Sequence, residues 1–248
     1  MTIKTQMVEG ISVKLCYKER IEKVLLCVHG FGGDKESSVI TALENALVGQ
    51  NYAVVAFDLP CHGDNDNKNV LNLNECFESF YKIIDFINSN EILKGKPLSI
   101  FATSFGGFIA LNCLSKKCIN TEKLIFRAPA IFMQDVLKNV LLPFQGYDLD
   151  MLRSKTINMG YEKSLLIDYK FYDDLCKNSL DKNFKLNKFI YIIQGRKDNI
   201  VDPKQNEEFF EKFVKDNFEI FYIETADHRF KHTGELEKIV EITKNILL

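Results

Sequence analysis

Short, almost uninterrupted apolar runs alternate along the chain with longer stretches in which apolar residues recur every three or four positions. The runs at 23–29 (KVLLCVH), 52–58 (YAVVAFD), 98–103 (LSIFAT), 123–127 (KLIFR), 189–194 (FIYIIQ) and 218–223 (FEIFYI) read as strands covered on both faces, as in a parallel sheet. The stretch 11–17 (ISVKLCY) alternates apolar and polar residues, which predicts a half-exposed edge strand. Helical spacing covers 37–47, 75–87, 107–114, 204–213 and 235–246. Strands followed in turn by helices imply right-handed crossovers and an α/β architecture with a mostly parallel central sheet.

The rhythm breaks between 130 and 186. No strong strand signal occurs there, and helical patches lie near 132–142 and 169–180. An unstructured loop of that length would be unusual, so the segment reads as a small helical cap inserted into the core. The expected division is a core of 1–129 and 187–248 with a cap of 130–186. The cap carries Phe132, Phe144, Tyr147, Tyr161, Tyr169, Phe171 and Tyr172. These rings predict either an apolar or aromatic acyl pocket or the cap's own miniature core. The polar cluster HGDNDNKN at 62–69 reads as a surface loop.

Composition narrows the classes. The chain has 248 residues, 46% hydrophobic and 27% charged, which fits a folded domain with a sizeable core. The 32 basic and 34 acidic residues leave a net charge of −2, with no global attraction to nucleic acid or an anionic membrane. No run of 18 apolar residues and no signal-peptide pattern is read, so a cytoplasmic protein is expected. The seven cysteines are odd in number and lack CxxC pairs, which suits reduced thiols packed as small apolar groups.

Ligands of open parallel sheets bind beyond the carboxyl ends of the strands, so the chemistry is sought there. After the 98–103 strand, Ser104 stands between Ala102 and Gly106, ahead of an apolar helix. A serine on a sharp strand-to-helix turn presents its hydroxyl above the sheet, and small neighbours let strand and helix nearly touch. A helix N-cap is the simpler role for such a serine. After the 23–29 strand comes a glycine loop, Gly30-Phe31-Gly32-Gly33, which suits backbone N–H donors at a developing oxyanion. Phe31 and Phe105 are the donors expected, through their backbones. Neither nucleotide-loop pattern is present. After the 189–194 strand, Asp198 is nearer the strand end, whereas Asp202 precedes Pro203 and suits a helix cap. After the last strand, His228 is the candidate general base, with Asp227 and His232 as less favoured neighbours. The order Ser104, Asp198, His228 is the one such an architecture expects. Cys61 and His62 are an alternative thiol pair, while Asp58 and His62 read as braces. No clustered metal-ligand set is seen.

With these residues in place, the chain resembles the α/β-hydrolase family over nearly its whole length. The resemblance rests on HGFGG at 29–33, DLPCHG at 58–63, ATSFGG at 102–107, GRKDNIVDP at 195–203 and ADHRF at 226–230. It is similar to small bacterial serine esterases of the cinnamoyl and feruloyl type, and to serine-aminopeptidase-like and monoacylglycerol-lipase-like hydrolases. The resemblance implies Ser104 as nucleophile, His228 as base, Asp198 as acid, and an oxyanion hole from Phe31 and Phe105. It implies a small-molecule carboxylic ester substrate, with an aromatic or short acyl group, and no cofactor or metal. Amides, peptides and thioesters suit the same residues, a non-catalytic binding protein of this fold is a further alternative, and a homodimer is common among such esterases. Ala102 stands where glycine is commoner, and the bulky Phe105, where a polar residue is common, is expected to alter the pocket.

Overall fold

The apolar runs assemble into an eight-stranded sheet, seen in a computed structural model that describes residues 1–65, 69–160, 164–182 and 184–248. Tyr161 and positions 66–68 of the polar cluster lie outside the described residues. In chain order the core elements are β1 (Thr2–Val8), β2 (Ile11–Tyr17), β3 (Lys23–Val28), α1 (Ser38–Leu47), β4 (Tyr52–Phe57), α2 (Leu73–Ser89), β5 (Leu98–Thr103), α3 (Phe105–Lys116) and β6 (Leu124–Arg127). Then follow the inserted elements α4 (Met133–Val136), α5 (Leu142–Phe144), α6 (Leu149–Ser154), β7 (Ile157–Asn158), β8 (Leu166–Ile167) and α7 (Tyr169–Lys177). The core resumes with β9 (Ile190–Gly195), α8 (Pro203–Phe213), β10 (Phe218–Ile223) and α9 (Glu235–Leu247). Sheet order is β1-β2-β4-β3-β5-β6-β9-β10. The β1/β2 and β2/β4 pairs are antiparallel and the others parallel.

Burial on both faces explains the composition of the central strands. The parallel strands β3, β4 and β5 are buried at all but one position. One face packs on α2, α3, α8 and the cap, and the other on α1 and α9. Helix α3 is apolar on every side because it is buried from Phe105 through Leu114. Among the described residues, no helix is long and apolar enough to cross a membrane.

Two expectations are corrected. The 11–17 stretch is not an edge strand: β1 covers it, joined by a tight turn with Glu9 and Gly10 both at positive φ (47° and 83°). Its polar positions are buried rather than solvated. Lys14 is only 6% exposed and reaches Glu36 at 2.6 Å and Glu44 at 2.9 Å. The cap also contains a strand signal that was too short to read, the two-residue pair β7/β8.

Candidate active site

Strand ends gather the three candidate side chains. Thr103 is the last residue of β5, and Ser104 turns the chain into α3 with φ 50° and ψ −114°. A side chain in that conformation is strained. Hydrogen bonds hold it there: Ser104 N–H donates to Arg127 O at 3.0 Å, and Ser104 O accepts from Phe108 and Ala130 N–H at 3.1 Å each. Gly106 is required by proximity, because a Cβ there would lie 2.3 Å from His29 O and 2.7 Å from Val28 O. Ser104 makes no side-chain cap to α3, so its hydroxyl is directed elsewhere.

That hydroxyl meets His228. Ser104 Oγ lies 3.1 Å from His228 Nε2, and His228 Nδ1–H donates to Asp198 Oδ2 at 2.8 Å. Asp198 is buried at the end of β9. Its Oδ1 accepts from Ile200 N–H at 3.0 Å and Val201 N–H at 2.8 Å. Its Oδ2 also accepts from Gln194 Nε2 at 3.0 Å. Behind it, Asn206 Nδ2 donates to Gln194 Oε1 at 3.1 Å and to Pro129 O at 3.0 Å. A buried chain of amides thus backs the carboxylate, and the imidazole tautomer is fixed by its two partners. Gln194 and Asn206 were missed in the sequence. The signal for Gln194 was a polar residue closing an apolar strand.

The competing residues have other duties. Asp202 caps α8 through Lys204 N–H at 2.9 Å. Asp227 Oδ1 accepts from Arg229 and Phe230 N–H at 2.8 and 3.1 Å, which is turn chemistry. His232 N–H donates to Glu235. Cys61 Sγ donates to Asn69 O at 3.4 Å and His62 Nδ1–H to Pro60 O at 2.8 Å, so the two do not face one another. Asp58 is a brace: its carboxylate takes Lys35 Nζ at 2.7 Å and the N–H groups of Lys35 and Asp64 at 2.8 Å each. His29, drawn below its usual pKa by burial, donates from Nδ1 to Gly30 O at 2.8 Å and accepts Leu59 N–H at Nε2, fixing the glycine loop.

Ser104 and His228 open onto a cleft of about 640 Å³ that also holds Gly30, Phe31 and Gly32. Phe105 N–H belongs to the first turn of α3, where helix N–H groups lack intrahelical acceptors. The ring of Phe105 does not shape this cleft. It is fully buried, stacked 6.3 Å from Phe108 and edge-on to Phe171 of the cap at 6.1 Å. Nor do the described rings of the cap line it. The cap presents Met133, Val136 and Leu141 there. Phe171 is buried, Phe132 packs on Phe209, Tyr169 packs on Tyr172, and Phe144 is exposed. The aromatic residues are thus spent chiefly on anchoring the cap. Among the described residues, no group of three or more His, Cys, Asp or Glu side chains is arranged to hold a metal ion.

Known proteins share this fold. The sequence family described as "Serine aminopeptidase, S33" matches residues 19–170. No curated protein sequence matches the chain significantly. Among solved structures, Est1E from Butyrivibrio proteoclasticus with ferulic acid bound is 18% identical and aligns over 98% of this chain and 97% of its own, with a TM-score of 0.78. A soluble variant of monoglyceride lipase from Saccharomyces cerevisiae is 18% identical over 99% and 95%, at 0.76. Alpha/beta hydrolase domain-containing protein 10 from mouse is 15% identical over 100% and 98%, also at 0.76. At these identities the likeness establishes the fold. With the family match over more than half its length, this α/β-hydrolase-fold chain belongs to the serine aminopeptidase S33 family.

Proposed function

We propose that the protein is a serine hydrolase that cleaves carboxylic esters through an acyl-enzyme on Ser104. The observation that carries this reading is the hydrogen-bond chain from Asp198 through His228 to Ser104 Oγ, at 2.8 and 3.1 Å, on a strained turn. In the first step, Ser104 Oγ attacks the ester carbonyl while His228 Nε2 takes its proton. Asp198 holds the Nδ1 tautomer and stabilises the imidazolium. Negative charge on the carbonyl oxygen is met by the backbone N–H groups of Phe31 and Phe105, aided by the positive end of α3. His228 then protonates the leaving alcohol. Water repeats the sequence on the acyl-enzyme, returning the acid and free Ser104.

The cap wall of Met133, Val136 and Leu141 suits a short aliphatic group beside the reacting carbon. An aromatic acyl group draws its support from the ferulic acid bound by the similar Est1E. The family's description favours a second reading, removal of an N-terminal residue from a short peptide by the same side chains. A substrate ammonium would then need an acidic partner, and the cleft offers Asp34 against Arg127, Arg229 and Lys231. The charge balance therefore favours the ester reading.

Hydrolysis of p-nitrophenyl acetate and butyrate, measured for wild type and Ser104→Ala beside alanine p-nitroanilide, tests the assignment. Turnover of the esters by wild type alone, with fluorophosphonate labelling abolished in Ser104→Ala, is expected. Undiminished turnover in a folded Ser104→Ala protein would sink it.

A further inference from the structure

Two unlike sets of residues line the cleft. The cap side is aliphatic, with Met133, Val136, Leu141 and Ile200. The charged and polar lining is Arg127, Arg229, Lys231, Ser37 and Ser38, with Asp34 as its acidic member. Arg127 closes β6 and pairs with Thr103, the residue before Ser104. Strand alternation sends Phe126 to the α3 face and Arg127, like Ile125, to the α1 and α9 face. The Arg127 guanidinium lies 5.0 Å over the ring of Phe230. It makes no hydrogen bond or ion pair with any described residue, and its Nε is shut off from water without an acceptor. Burial draws its pKa down to about 10, so it stays charged at neutral pH.

A guanidinium whose Nε is cut off from water without an acceptor, while the rest of the group faces a cleft, is costly and rare in a finished structure. A second unsatisfied group lines the same cleft. Ser37 Oγ is buried with no hydrogen-bond partner among the described residues and makes no cap to α1, whose first-turn N–H groups lack intrahelical acceptors. Asp34 is engaged locally, accepting Glu36 N–H at 2.8 Å.

We propose that Arg127, with Ser37 at the end of α1, forms an anion subsite beside Ser104, so that the preferred substrate is an ester bearing a carboxylate or phosphate a few bonds from the scissile carbonyl. This inference rests on the ester reading above but is measured separately from it. The planar fork of Arg127 matches either group by paired N–H donors.

Calorimetric binding to the Ser104→Ala protein tests the subsite without turnover. The probes are monomethyl glutarate, methyl 3-phosphonopropanoate and neutral dimethyl glutarate. A charge-assisted contact predicts about 10- to 100-fold tighter binding of an anionic probe than of the neutral one. Adding Arg127→Gln should remove that preference, and Arg127→Lys should keep part of it. Whichever anion binds more tightly identifies the native group. Equal binding of all three probes, or a preference that survives Arg127→Gln, overturns the proposal. Wild-type enzyme that hydrolyses no ester and takes no fluorophosphonate would overturn the proposed reaction instead, leaving the binding result to decide the subsite.

Discussion

Gln194 Nε2 donates to Asp198 Oδ2 at 3.0 Å, the same oxygen that accepts His228 Nδ1–H at 2.8 Å. The imidazole is therefore aimed by a carboxylate that is itself held, and the holder is anchored in turn by Asn206. Gln194→Leu leaves the Asn206 amide short of an acceptor and lets Asp198 turn. Misplacement of a catalytic group by about 1 Å can cost about 100-fold. The expected result is a kcat reduced by about 10- to 100-fold with KM nearly unchanged, because substrate contacts are untouched. Steady-state kinetics on p-nitrophenyl butyrate check this, and an effect confined to KM would contradict it.

The turn at Ser104 makes a sharper demand on Gly106. Its missing side chain is what lets α3 approach His29 O and Val28 O. Gly106→Ala must push α3 from β3, moving Ser104 and the Phe105 N–H together. A cost of about 3 kcal/mol or more is expected, which lowers the melting temperature by about 6–12 °C for a chain of this size. Calorimetry reads the shift. A variant as stable as wild type would mean that the turn is looser than its contacts indicate.

The same local necessity explains why this part of the site could be read from sequence. The small residues around Ser104 and the glycine loop after β3 each express a short-range constraint, and the order Ser104, Asp198, His228 follows the order of the strands whose ends carry them. Features built by distant residues were not legible in the same way. Lys14 is buried because Glu36 and Glu44 reach it from another element, so the alternation of β2 imitated solvent exposure. The polar strand β1 gains its place from pairing along β2, and only the turn at Glu9–Gly10 could have announced it. Nothing local in the sequence singles out Arg127; only the fold brings it into the cleft of Ser104 with no hydrogen-bond acceptor for its Nε among the described residues. The cap aromatics were recognisable as apolar, but which surface they covered was not.

Phe171 shows what those rings do. It stacks on Phe31 of the glycine loop at 6.3 Å and stands edge-on to Phe105 at 6.1 Å. The cap helix α7 is thus pinned to the two residues whose backbone N–H groups are proposed to receive the oxyanion. Phe171→Ala empties a fully packed site and should cost about 3–5 kcal/mol. It should also lower kcat, since Phe31 loses a wall of its loop. Phe171→Leu, which retains most of the volume, should recover most of both. A Phe171→Ala variant that loses stability yet keeps full kcat would show that the loop holds its shape without the Phe171 wall.

Acid should weaken the fold through a second buried histidine. His62 donates Nδ1–H to Pro60 O at 2.8 Å, its Nε2 is buried without a partner, and its ring lies 5.1 Å from that of His29. Burial, reinforced by His29, lowers its pKa to about 3, whereas an unfolded histidine titrates near about 6.5. Between those values the unfolded chain takes up a proton that the folded one refuses. Stability is therefore complete above about pH 6.5 and falls as pH drops toward 3, by up to about 1.4 kcal/mol per pH unit for each such group. His29, also lowered by burial, acts in the same direction. His62→Asn can keep a donor for Pro60 O but cannot titrate, so urea midpoints measured from pH 7.5 to 4.5 should fall less steeply than in wild type, with a residual slope from His29. Parallel curves for the two proteins would show that His62 takes up its proton without unfolding the chain.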